Sequence, residues 1–119
     1  MATLTTKLTL SSTDTLSDPL NLTCSDSLSV TNPTELSRVS VATDAVTNLR
    51  TTSDSSITYV YLKNMDTTNI IVVKNDAGNN FLDLGPEEFS FFPLKGAIGL
   101  EVQADTSACI LEYGYWTKA

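Results

Sequence analysis

Histidine is absent from the 119 residues. With it go the commonest general base, the commonest metal ligand and every Ser-His-Asp or Cys-His arrangement. The remaining reactive side chains are sparse. Glu87 and Glu88 are adjacent carboxylates. Consecutive strand residues point to opposite faces, so a glycosidase pair would need a third residue to set its spacing. Placed after Gly85-Pro86, the two read more simply as a charged turn. The run Asn75-Asp76-Ala77-Gly78-Asn79-Asn80 offers oxygen ligands and a glycine, loosely like a calcium loop. It lacks the alternating acids and the distant bidentate Glu of such loops, which leaves a hairpin turn. Cys24 and Cys109 are the only cysteines, too few to hold structural zinc without histidine. The aromatic group Phe89, Phe91, Phe92, Tyr113, Tyr115 and Trp116 has the chemistry to stack on sugar rings, and equally to fill a core or a subunit contact. The expectation is a chain with no catalytic residue, no metal site and no cofactor, whose function is recognition or assembly.

The elements that carry these residues follow from period-two patterning. From Ile57 to Trp116 the chain reads ITYVYLKN, NIIVVKN, FLDLGPEEFSFFPLK, IGLEVQAD and ACILEYGYW. These are short runs rich in β-branched and aromatic residues, each stopped by Asn, Asp, Gly or Pro. Leu100 and Val102 face away from Glu101 and Gln103; Cys109, Leu111 and Tyr113 alternate with Ala108, Ile110 and Glu112. Thr58–Leu62 is apolar or amphipathic on both faces, which predicts a central strand or one at a subunit contact. The intervals are too short for helices, so neighbouring strands are expected to pair antiparallel. Before Ile57 the chain is dominated by Thr, Ser, Leu and Asp. Even so, Leu8 and Leu10, Leu20 and Leu22 with Cys24, Leu28 with Val30, and Val39 with Val41 keep period two. That pattern predicts strands solvated on one side.

Turn signals fall at 13–15, 17–19, 25–27 and 32–34, with hairpin loops at Asn64–Thr68 and Asn75–Asn79. Gly85-Pro86 opens a tight turn, Phe92-Pro93 bends a strand, and Gly96 and Gly99 bracket a short connection. A short strand is expected around Asn48–Thr52, then a loop at Ser53–Ser56. Roughly eight to ten strands without helices give an all-β fold, an antiparallel two-sheet β-sandwich of jelly-roll-like form. It is expected as a single domain over 1–119, with an extended N-terminal arm at about 1–6.

Hydrophobic residues make up 41% of the chain and charged ones 18%, with a net charge of −7. The seven cations are scattered, which argues against direct nucleic-acid binding. No segment approaches a membrane span, and MATLTTKLTL has no apolar run of signal-peptide length. The expectation is a protein made in the cytoplasm, with no membrane partner. Two readings of Cys24 and Cys109 stand: buried free thiols, or a disulfide where strands set them side by side. The uncovered sheet faces of the first half and the strand Thr58–Leu62 predict a homo-oligomer.

The order TYVYLKNMDTTN, then IIVVKNDAGNNFLDLGPEEFSFFPLKG, then IGLEVQADTSACILEYGYW, resembles small virion structural proteins of tailed bacteriophages, those of cyanophages and other aquatic phages above all. The opening KLTLSST, LNLT and SLSV is similar as well, so the likeness covers nearly the whole chain. Gly85-Pro86-Glu87-Glu88 departs from the Pro-Gly-Glu order usual in that family. The resemblance implies a jelly-roll-like subunit on the outer surface of the capsid or in a tail or fibre. A capsid decoration (cement) protein would have the major capsid protein as its partner, and a trimer is the form that resemblance suggests. The alternative is a tail, fibre or knob subunit that binds carbohydrate or a receptor. No functional residue is carried over by the likeness.

Overall fold

The computed structural model of the chain describes residues 2–14, 17–31, 36–51 and 55–119. Their regular structure is ten strands and no helix. The strands are β1 (Ala2–Ser12), β2 (Leu20–Thr31), β3 (Ser37–Val41), β4 (Thr47–Arg50), β5 (Thr58–Asn64), β6 (Ile71–Asn75), β7 (Asn80–Leu84), β8 (Phe89–Leu94), β9 (Leu100–Ala104) and β10 (Cys109–Lys118).

From β3 onwards the chain is one long antiparallel hairpin with β6–β7 at its apex. β3 pairs with β10, β4 with β9, β5 with β8 and β6 with β7. Rolled on itself, the hairpin gains two more ladders, β10 with β5 and β9 with β6. Two sheets result, β3-β10-β5-β8 and β4-β9-β6-β7. That strand order is the jelly roll. Alternate residues of each strand meet between the sheets: Val60 and Leu62 of β5, Ile71 and Val73 of β6, Leu100 and Val102 of β9, and Cys109 and Leu111 of β10 are all buried. Each such side chain contributes about 1.5–3 kcal/mol by leaving water.

Neighbouring strands pair less often than their spacing suggests. Among the described residues only β1–β2 and β6–β7 are consecutive partners. The Asn64–Thr68 segment, expected as a hairpin loop, crosses from the first sheet to the second. Both edges of β5 are already taken, by β10 and β8, so β6 has no ladder to join there. The doubly apolar strand, expected centrally or at a subunit contact, is thus central. Pro93 sits in β8 at the sheet edge, where its missing N–H costs no ladder bond. The strand expected around Asn48–Thr52 is β4, ending at Arg50. Thr52, Ser53 and Asp54, the expected turn at 32–34 and part of that at 13–15 lie outside the described residues.

The largest departure is at the start of the chain. Ala2 to Thr6, expected as an extended arm, are paired strand; Met1 lies outside the described residues. β1 and β2 form an unbroken antiparallel ribbon from Ala2 opposite Val30 to Ser12 opposite Leu20. Its register sorts most of the side chains, with the pair Thr6–Asp26 and Ser12 as the polar members of the apolar face. Leu4, Leu8 and Leu10 share one face with Leu28, Cys24 and Leu22, while Thr3, Thr5, Lys7 and Thr9 share the other with Ser29, Ser27, Ser25 and Thr23. The leucine face was expected to be the buried one. Instead Leu8, Leu10 and Leu22 are 45, 45 and 49% exposed, and Val30 alone of the ribbon is buried. β2 joins β10 only at Thr31 and Val30, so most of the ribbon has no third strand. No residue of β1 or β2 belongs to the core cluster. The radius of gyration of 15.7 Å exceeds the roughly 13.5 Å of a compact chain this long, as a projecting ribbon requires.

Candidate functional site

The jelly roll divides the sequence's aromatic group in two. Phe92, Tyr113 and Tyr115 point inward and pack on the core. Phe89 and Phe91 of β8 lie on the outer face of the first sheet, 60 and 40% exposed. Trp116 is half-buried on the same face, its ring over Gly114. A methyl at Gly114 would lie 3.2 Å from Leu36 Cδ2 and 3.4 Å from Trp116 Cη2, so glycine there lets the two side chains settle on the sheet. The sequence reading of the aromatics missed Tyr59 and Tyr61. Their alternation with the buried Val60 and Leu62 places them outward between β8 and β10. Tyr59 stacks on Phe91 with centroids 5.9 Å apart and rings inclined by 11°. Lys118 Nζ lies 5.0 Å from the Tyr59 ring centroid, a cation–π contact.

A small polar network is set into this aromatic face. The Tyr61 hydroxyl donates to Glu112 Oε1 at 3.0 Å, and Arg38 Nε donates to Glu112 Oε2 at 3.1 Å. The Tyr61 hydrogen bond, then Arg38, holds the Glu112 carboxyl below its ordinary range. Burial, then Glu112, pushes the Tyr61 phenol up. The Arg38 guanidinium is largely exposed, so the pair fixes orientation more than it adds stability. The ribbon overhangs this face. Thr6, Lys7, Leu8 and Cys24 on one wall, with Tyr61, Phe89, Ser90 and Phe91 on the other, enclose a cleft of about 570 Å³. A shallower hollow on the second sheet, about 210 Å³, is polar and crossed by the Lys74 Nζ to Gln103 Oε1 hydrogen bond of 2.6 Å.

The other sequence candidates resolve into turns. Glu88 N donates to Gly85 O at 3.1 Å, and Glu87 takes a φ of 63°. With Pro86 at the second position and positive φ at the third, this is a type II turn with Glu where Gly is usual. Glu88 Oε1 turns back to accept from Gly85 N, so this carboxylate is engaged within its own turn. In the run Asn75–Asn80, expected as a hairpin turn, Asn75 Oδ1 accepts from Ala77 N and Asn79 N, both at 3.0 Å, and Asp76 Oδ1 accepts from Gly99 N. Asn75 thus closes the β6–β7 turn, and Asp76 ties it to the connection before β9. Cys24 is an exposed free thiol on the ribbon and Cys109 a buried one in the core, so the two do not pair. Among the described residues no group of three or more Cys, Asp or Glu is gathered to hold a metal ion.

No family model, curated protein or solved structure matches the chain. The site is therefore defined by its geometry: an exposed aromatic face with one polar network, overhung by a ribbon whose apolar side is open.

Proposed function

We propose that the chain is a bacteriophage virion structural protein, a capsid decoration (cement) subunit that binds the outer shell and ties neighbouring capsomers together. Its partner in this reading is the major capsid protein, and its working form is a homotrimer at the capsid surface. One observation carries the reading: the exposed rings of Phe89 and Phe91 and the open leucines of the ribbon gather on one side of the jelly roll, while Glu88 and Asp76 are engaged in turn and loop hydrogen bonds. A cement subunit needs a stiff scaffold and a contact surface and no chemistry. Exposed apolar patches of several hundred Å² mark such contacts. The phage setting and the trimer rest on the sequence resemblance, since a jelly roll by itself serves capsids, lectins and enzymes alike.

A second reading has a specific feature in its favour. The Tyr59–Phe91 stack beside the Tyr61–Glu112–Arg38 network offers ring faces next to hydrogen-bonding groups, the combination a sugar requires. In that case the chain is a carbohydrate- or receptor-binding module of a tail or fibre. A particle lacking this protein separates the two. Cementing predicts that the particle loses heat resistance or bursts under internal DNA pressure. An intact particle that no longer adsorbs to its host replaces cementing with receptor binding.

A further inference from the structure

We infer that the β1–β2 ribbon of one copy lies across the outer face of the first sheet of a second copy, filling the cleft over Phe89 and Phe91. Four observations converge on this occupant. An isolated two-stranded ribbon is marginal in water, and stability comes with a third strand or a layer packed on its apolar face. Here eleven consecutive residue pairs run from Ala2 to Ser12, and on their leucine face Leu8, Leu10 and Leu22 stay 45, 45 and 49% exposed, with an open cleft between Leu8 and the aromatic face. The receiving surface is equally open and apolar, with Phe89 and Phe91 exposed beside the half-buried Tyr61. The ladder carries no bulge, so closing the cleft within one chain means bending a regular ribbon, whereas a second copy fills it as it stands.

Charge selects the same partner. The outer face of β3, β10, β5 and β8 carries Arg38, Lys63 and Lys118 against the single acid Glu112, in a chain of net charge −7. The far end of the ribbon carries Asp14 and Asp18, and residues 11–21 contain no cation. The acidic end of one copy thus complements the basic sheet face of another. Size explains why the exchange must be mutual. The ribbon face measures about 35 Å by about 10 Å, roughly 350 Å², well short of the roughly 800 Å² per partner of a stable complex. A copy that both donates its ribbon and receives one contributes two such patches, plus the walls of the cleft. Reciprocal exchange in a pair and head-to-tail exchange in a closed ring both satisfy this.

The test is sedimentation of the full chain at micromolar concentration, free of any capsid, so it does not depend on the cementing role. The expected mass is a multiple of 12.8 kDa. Leu22→Asp, on the open apolar face, shifts it to the monomer. Thr9→Asp, on the opposite face of the same ribbon, leaves it unchanged and shows that the ribbon tolerates a charge. Asp14→Lys with Asp18→Lys weakens association tenfold or more, and adding Lys63→Glu with Lys118→Glu restores it. A monomeric wild type overturns the inference, as does a Leu22→Asp chain of undiminished mass or a charge swap without effect.

Discussion

Replacing Asn64 by alanine tests how the two sheets are joined. Asn64 ends β5 with its side chain wholly buried. Nδ2 donates to Asn69 O at 2.8 Å, Leu84 O at 3.0 Å and Gly85 O at 3.1 Å, while Oδ1 accepts from Asp66 N at 2.9 Å. One side chain thus ties the end of a first-sheet strand to the approach of β6, the end of β7 and the turn before β8. Alanine removes both N–H donors, one of them shared between two carbonyls, and the acceptor, and leaves buried backbone groups short of a partner. At roughly 1 kcal/mol net for each of these three groups the loss is about 3 kcal/mol, about a quarter of the roughly 12 kcal/mol typical for a chain this long. Urea unfolding, at one fixed protein concentration because association adds to apparent stability, would show the midpoint lowered by about 1.5 M. Asn64→Asp sharpens the test. It keeps the acceptor for Asp66 N but turns a carboxylate on three carbonyl oxygens, so it should cost more than alanine at pH 7. Protonation returns one donor, so that variant should recover part of the loss at pH 5. A fall below about 1 kcal/mol for alanine, or an aspartate variant as stable as wild type, would refute the view that this side chain joins the sheets.

Glu87 occupies the left-handed region with φ of 63°, which disfavours any side chain bearing a Cβ. Glu87→Gly should therefore raise stability by about 0.5–1 kcal/mol, seen as a Tm a few degrees higher. Asp66 accepts from Thr68 N and Asn69 N, and those backbone bonds, Thr68 first, hold its carboxyl below the ordinary range. A carboxyl depressed by folding adds stability above its unfolded pKa of about 3.9, and that contribution is lost as pH falls through the lower folded value. Asp66→Asn should accordingly flatten the acid limb of a stability–pH profile below about pH 4, with little change in its slope near neutrality.

Residue patterning alone carries the strand content far into the structure. Val60 with Leu62, Leu100 with Val102, and Cys109 with Leu111 all fall on the buried side, because alternation is a local property that packing against a second sheet reinforces. Pairing is a different matter. The same alternation in β5 and β6 cannot distinguish a hairpin from a crossing, since the choice depends on whether the edges of β5 are already occupied by β8 and β10. The ribbon shows a second limit. Leu8, Leu10 and Leu22 have the period of a half-buried strand, yet patterning states only that a face is apolar and not which chain covers it. The aromatic site was half readable. Phe89, Phe91 and Trp116 stand out by composition, whereas Tyr59 and Tyr61 were hidden inside a strand that reads as core. The signal that finds them is the parity of β5: once Val60 and Leu62 face inward, the two tyrosines face out.

The two outer faces of the sandwich differ in a way that gives the molecule a direction. On the second sheet Lys74 bonds Gln103, and Gln103 Nε2 donates onward to Thr43 O at 2.7 Å. These polar groups bond one another within the chain. On the first sheet Phe89 and Phe91 are 60 and 40% exposed, and the ribbon beside them leaves Leu8, Leu10 and Leu22 nearly half exposed. A jelly roll spends both inner faces on one core, so any contact with another molecule must use an outer face or an edge. The first sheet and its ribbon gather the larger apolar area, with Phe89, Phe91, Leu8, Leu10 and Leu22 exposed together, and the inferred contact between copies uses that side. The second sheet, with Glu101, Lys74 and Asp83 outward around the exposed ring of Phe81, is then left for water or for a weak, salt-sensitive contact. In the cementing reading this orders assembly: copies join first through ribbon and aromatic face, and the assembled unit then meets the shell by many small polar contacts. Such contacts are individually weak and strong in number, which is how a subunit can hold an assembled lattice while passing over its loose components.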